Sequence, residues 1–121
     1  MNDHANSLSI PELQERIRAF RDERDWMQFH NHKDMAAALA IEASELQELF
    51  LWKNSAEVEE VAATRQERLR EELADVAVYL LELADNLGIN LSEAILSKLA
   101  KNALKYPVEK AKGSNAKYTE L

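Results

Sequence analysis

From Leu69 to Leu87 the chain places Leu69, Leu73, Val76, Leu80, Leu83 and Leu87 at alternating steps of four and three. Such spacing keeps side chains on one face of an α-helix and is incompatible with the period of two of a strand. Ala77, Val78, Leu81 and Ala84 fill the remaining positions, so this helix is apolar nearly all round and is predicted to be the central one. Gly88 supplies its C-terminal stop.

The other segments fit around it. Ser9-Ile10-Pro11-Glu12 combines a capping Ser, an early Pro and a Glu three residues on, which predicts a helix from there to about Trp26. Leu13, Ile17 and Phe20 form its narrow apolar stripe. After a polar break at 29–33, Asp34 to Lys53 reads as a second helix, with Met35, Leu39, Leu46 and Leu49 as a seam. Residues 57–70 are open between a short helix, a loop and the exposed first half of the central helix. Asn90-Leu91-Ser92-Glu93 caps a fourth helix ending before Pro107. Residues 1–8 read as a polar leader and 108–121 as an irregular tail. With two Gly and two Pro in 121 residues, the expectation is one all-α domain, a compact bundle of about four helices. Helical chains this small often oligomerise.

Charge narrows the function. With 22 acidic against 15 basic residues and a formal charge of -7, the chain repels a phosphate backbone, so no nucleic-acid polymer is expected. The absence of cysteine removes thiolate metal sites and cysteine nucleophiles. No apolar run approaches the roughly 18 residues that cross a bilayer, and the start lacks a signal-peptide pattern, so no membrane association and a cytoplasmic location are expected.

Two carboxylate pairs stand at helical spacing, Glu42-x-x-Glu45 and Glu72-x-x-Asp75. Acids three apart on a helix usually make a solvated face. Here Glu42 occupies a position in the leucine seam, between Leu39 and Leu46, and Asp75 directly precedes Val76-Ala77-Val78-Tyr79-Leu80-Leu81. If the two helices are antiparallel neighbours, four carboxylates converge, and they need a cation to stay ionised together. A di-iron bundle normally requires Glu-x-x-His, and the residues three before His30 and His32 are Met27 and Phe29. All-oxygen ligands point to Mg2+, with Mn2+ as a substitute.

These acids resemble the shared pattern of the all-α nucleoside triphosphate pyrophosphohydrolases of the MazG type, closest to the subgroup that includes dCTP pyrophosphatase. The likeness extends through Trp26-Met27-Gln28-Phe29-His30, Leu49-Phe50-Leu51-Trp52-Lys53, Glu71 to Val76, Tyr106-Pro107-Val108 and Gly113 to Thr119. One departure is Leu69, flanked by Arg68 and Arg70, where some members carry a basic residue. The resemblance implies hydrolysis between the α and β phosphates to a nucleoside monophosphate and pyrophosphate. It implies Glu42, Glu45, Glu72 and Asp75 as metal ligands and catalytic acids, with Glu45 a first choice as proton acceptor. It also implies Trp26, His30, Trp52 and Tyr79 around the nucleoside, Asn102 as a polar contact, and Lys98, Lys105 and Tyr106 on phosphate or sugar. Lys53, Lys112 and Lys117 are weaker choices. His30 has a second reading, as the cap of helix two. Pockets shared between subunits are implied as well, in a homotetramer built of two dimers or a dimer. The competing readings are a broader pyrophosphohydrolase acting on other canonical or damaged nucleotides, and a non-catalytic helical interaction module.

Overall fold

The computed structural model describes residues 7–121, so most of the leader, His4 included, lies outside the described residues. Among them are six α-helices and no strand: α1 (Ile10–Glu23), α2 (His32–Glu48), α3 (Ser55–Thr64), α4 (Gln66–Asn86), α5 (Leu91–Lys105) and α6 (Val108–Ala111). The all-α expectation holds, but the count of four does not. The additional helices are α3, one of the readings open for residues 57–70, and the single turn α6 inside the tail expected to be irregular. A 3-10 turn, Tyr118–Glu120, follows α6. By internal contacts the chain divides into two units, one ending at Gly88 and the other spanning Ile89–Leu121.

Local chemistry sets the helix boundaries. Ser9 and Glu12 form the expected capping box, each side chain accepting from the other's backbone N–H at 3.2 Å. α1 stops at Glu23, short of Trp26, because Asp25 takes φ 53. The Trp26 N–H donates back to the Arg21 carbonyl at 3.1 Å and the Asp25 N–H to that of Asp22 at 3.1 Å, a Schellman closure with Asp in the place usually held by Gly. α2 begins at His32, two residues before Asp34, because Asn31 caps it by accepting from the Asp34 N–H at 2.9 Å. It ends at Glu48 rather than Lys53, the chain unwinding through turns to Trp52 at φ 64. Asn54 and Glu57 then form a second capping box that starts α3.

α4 is central as expected, since α1, α2 and α3 all pack on it. Its burial departs from its apolar pattern. Glu72, Glu82 and Ala84 are its buried residues, whereas Leu73, Val78, Leu80 and Leu87 stay exposed, Leu73 at 55%. α1 departs in the same sense. Leu13 and Phe20 remain exposed, and the face turned to α4 is the neighbouring row Gln14, Ile17, Arg18 and Arg21. Gln14 Nε2 donates to the Leu81 carbonyl at 2.9 Å, and Arg18 forms a two-point pair with Asp85, both bonds 3.0 Å. Polar groups on α4 chose this rotation of α1, since each buried acceptor on α4 needs a donor.

Gly88, at φ 69, closes the first unit. In the second, the Asn90 cap accepts from the Glu93 N–H at 3.0 Å. α5 ends at Lys105 before Pro107, as expected. Among the described residues no helix is long and apolar enough to cross a membrane.

Candidate metal centre and adjoining cleft

Packing α2 against α4 brings Glu42, Glu45 and Glu72 together, one carboxylate oxygen of each lying within 4.8 Å of the others. Glu42 stands in the seam between half-buried Leu39 and Leu46, as its sequence position required. Glu72 is only 4% exposed. Glu42 Oε2 and Glu72 Oε2 are both buried without a hydrogen-bond partner. Leaving a buried acceptor unpaired costs about 1–3 kcal/mol, more when it is charged, so two such oxygens on residues of one carboxylate group imply a ligand that satisfies both. A hard divalent cation fits, because it accepts carboxylate oxygens and offsets their mutual repulsion.

The remaining charge arrangement fits the same ligand. The Glu45 carboxyl is held above its usual range, chiefly by a hydrogen bond shared with Glu42, then by the negative charge of Glu42 and by burial. The Glu42 and Glu45 carboxylates thus crowd each other, a repulsion that a cation would relieve. Glu72 is partly compensated by Arg68, whose Nε lies 2.8 Å from Oε1 one turn earlier on α4. Asp75, the fourth expected ligand, is not part of the three-carboxylate group. It is exposed and sits one turn further along α4, where it lines a cleft of about 200 Å³.

That cleft gathers three of the four expected nucleoside residues, Trp26, His30 and Tyr79, with Ile17 and Phe20. Trp26 meets Phe20 edge to face at 5.9 Å between ring centroids. Burial first, and then the charges of Glu42, Asp75, Glu82 and Glu45, raise the Tyr79 hydroxyl above its usual range, so Tyr79 feels the acidic group and the cleft at once. Trp52 is not brought there. It is 92% exposed at the left-handed turn after α2. Lys98, Asn102 and Lys105 recur along α5 in the second unit, where Lys105 Nζ lies 4.9 Å over the Tyr118 ring and Tyr106 packs edge to face on Tyr118 at 5.9 Å.

His30 does not cap α2, a role taken by Asn31. Its Nδ1 lies 2.8 Å from Glu82 Oε2, and Asn86 Nδ2 donates to the same oxygen at 3.2 Å. Arg21 Nη1 donates to Asn86 Oδ1 at 3.0 Å. No motif marks Glu82, Asn86 or Arg21. The available signal was that Glu82, like Glu42, interrupts an apolar run, between Leu81 and Leu83, and stands seven residues after Asp75.

The MazG-like family model matches residues 37–121, which include all four acids of the two motifs. dCTP pyrophosphatase 1 of Rattus norvegicus is 45% identical over 104 residues, covering 84% of this chain and 61% of the relative. The Homo sapiens protein of the same name is 44% identical over 104 residues, with the same coverage of 84% and 61%. The chain thus spans about three-fifths of the length of these curated relatives. A solved pyrophosphatase from Archaeoglobus fulgidus superposes with a TM-score of 0.78 at 43% identity, covering 81% of this chain and 92% of that one. The matched span and the helical framework that carries the carboxylate group together establish that this chain belongs to the MazG-like family.

Proposed function

We propose that this chain is a magnesium-dependent nucleoside triphosphate pyrophosphohydrolase. It cleaves between the α and β phosphates, releasing a nucleoside monophosphate and pyrophosphate. The substrate is dCTP or a related, modified deoxynucleotide, and Mn2+ substitutes for Mg2+. The observation that carries this reading is the convergence of Glu42, Glu45 and Glu72 from two helices with two buried carboxylate oxygens unpaired. The dCTP assignment draws on the names of the mammalian relatives.

Glu42, Glu45 and Glu72 hold the ion, and Asp75 completes the set on the side of the cleft. When bound, magnesium supplies charge neutralisation for the triphosphate and a more acidic attacking water. Glu45 is the residue assigned to take the water's proton, as a carboxylate beside the ion. Trp26, Tyr79 and His30 receive the nucleoside, where an aromatic face stacks on a base for about 1–3 kcal/mol. Asn102 is assigned as a polar contact of the nucleoside, and Lys98, Lys105 and Tyr106 are assigned to phosphate or sugar. The family match runs through both units, which supports one MazG-like domain.

We also assign a homo-oligomer, a dimer or a tetramer of two dimers. Trp52 at 92% exposure, with Leu73, Leu80 and Leu87 along α4, is more apolar surface than a lone helical chain normally leaves to water.

A screen of natural and modified nucleoside triphosphates with and without magnesium, resolving monophosphate, diphosphate, pyrophosphate and orthophosphate, tests the reading. Monophosphate and pyrophosphate are expected, only with metal. Diphosphate with orthophosphate would overturn the cleavage position, and no turnover would return weight to a helical interaction module.

A further inference from the structure

Glu82 takes no part in the metal site, yet it is a carboxylate only 4% exposed, on a helix whose leucines are partly in water. A buried carboxylate is tolerated only when its lone pairs are used. Its Oε2 has three partners: His30 Nδ1 at 2.8 Å, Asn86 Nδ2 at 3.2 Å and Arg21 Nη1 at 3.9 Å. Arg21 is itself 7% exposed and is fixed by Asn86 and by Asp22, whose Oδ1 lies 2.8 Å from Nε. These groups bind the turn before α2, the end of α1 and the C-terminal end of α4 into one network.

The consequence falls on His30. An ionised carboxylate only accepts, so the ring nitrogen facing Glu82 is the one that carries hydrogen. Arg21 supplies the counter-charge to Glu82, so the imidazole contributes a proton to the bond without having to contribute a charge. In the neutral ring, Nε2 is then an acceptor. His30 lines the cleft with Trp26, Asp75 and Tyr79, and its Nδ1 edge is taken, so the edge left for a ligand carries Nε2.

We propose that Glu82 is a positioning residue that locks His30 with Nε2 as an acceptor in the cleft, selecting a base that bears an exocyclic amino group over one with a keto oxygen there. The proposal rests on reading the cleft as the nucleoside pocket. Cytosine offers an amino donor at the selected position and uracil an oxygen, which would face the Nε2 lone pair. A site built to bond a substrate N–H rejects an analogue lacking it, because its own polar group is left unpaired.

The test is binding rather than turnover. dCMP and dUMP are titrated calorimetrically into the intact protein with magnesium, and the His30 imidazole is read by 15N NMR, with assignment from a His30→Asn sample. Wild type is expected in the Nδ1–H form, with dCMP bound at least about tenfold tighter than dUMP, the size of one well-made hydrogen bond to a buried partner. Glu82→Gln retains an acceptor oxygen and keeps both properties. Glu82→Ala frees the ring and brings the two affinities within about threefold. An Nε2–H ring in wild type, a ratio unchanged in Glu82→Ala, or a Glu82→Gln protein that behaves like Glu82→Ala overturns the proposal. If Glu82→Ala fails to fold, the wild-type tautomer and the wild-type and Glu82→Gln ratios decide it. Loss of turnover across all nucleotides with discrimination between dCMP and dUMP intact refutes the hydrolase reading and leaves this one standing.

Discussion

Replacing Glu42 by Leu should stabilise the metal-free protein while abolishing its response to magnesium. Glu42 sits in a leucine seam with Oε2 buried and unpaired, an oxygen that costs about 1–3 kcal/mol. A leucine removes that cost. It also adds apolar burial, which at a half-buried position is about half of the 1.5–3 kcal/mol of full burial. Against this stands the change of side-chain shape within a packed seam, a loss of about 0.5–1.5 kcal/mol. The balance is a gain of about 1–3 kcal/mol, or roughly 3–12 °C in Tm for a domain of this size. Wild type gains in the other way, about 2.7 kcal/mol when magnesium stands at 100 times its Kd. Circular-dichroism melts at one fixed protein concentration, in EDTA and in magnesium against sodium of equal ionic strength, separate the two effects. Glu42→Leu should melt above wild type in EDTA, be indifferent to magnesium and turn over no substrate. A variant that melts below wild type in EDTA, or that keeps the magnesium shift, would refute both the orphaned-oxygen reasoning and the ligand assignment.

Glu45 gives a pH signature. Its carboxyl is raised in the folded state, so the stability it contributes is full below the ordinary glutamate value of about 4.5 and is lost as pH rises through the folded value. The metal-free stability difference between wild type and Glu45→Gln should therefore move against wild type as pH rises through that range, while magnesium binding tightens; a difference flat with pH in urea melts would count against the crowding of Glu45 by Glu42. Tyr79 is raised first by burial and then by four acids, so saturating magnesium should lower its titration midpoint without bringing it below the ordinary tyrosine range. Ultraviolet titration of wild type against Tyr79→Phe measures this, and an unmoved midpoint argues against an ion at the acidic group. Arg68 competes with a cation for Glu72 Oε1, and a partly exposed pair of this kind is worth about 0–1 kcal/mol. Arg68→Ala should thus tighten magnesium binding to the nucleotide-free protein by up to about fivefold, and weaker binding by calorimetry would reverse the assignment.

The acidic centre was legible because its signal is local. Glu42 stands where a seam demands leucine, and Glu45 and Glu72 follow from helical spacing once two helices are paired. The capping residues Ser9 and Asn90 were legible for the same reason, since a cap is made within four residues of chain. Helix ends set by a single left-handed residue were not, because Asp25 and Trp52 have no strong preference for that conformation.

Sequence by itself determined the all-α class, the central place of α4 and the shared face of Glu42 and Glu45, because helical periodicity fixes which side chains share a face; their meeting with Glu72, and without Asp75, came from the packing of α2 on α4. Only the tertiary structure decided the rotation of each helix about its axis. It turned Gln14, Arg18 and Arg21 rather than Leu13 and Phe20 toward α4, left Leu73 and Leu80 outside, and enclosed Glu82 with His30. The physical reason is that a buried carboxylate must find its donors on another segment. Partners such as Arg18 and Asp85, 67 residues apart, have no signature in either segment alone.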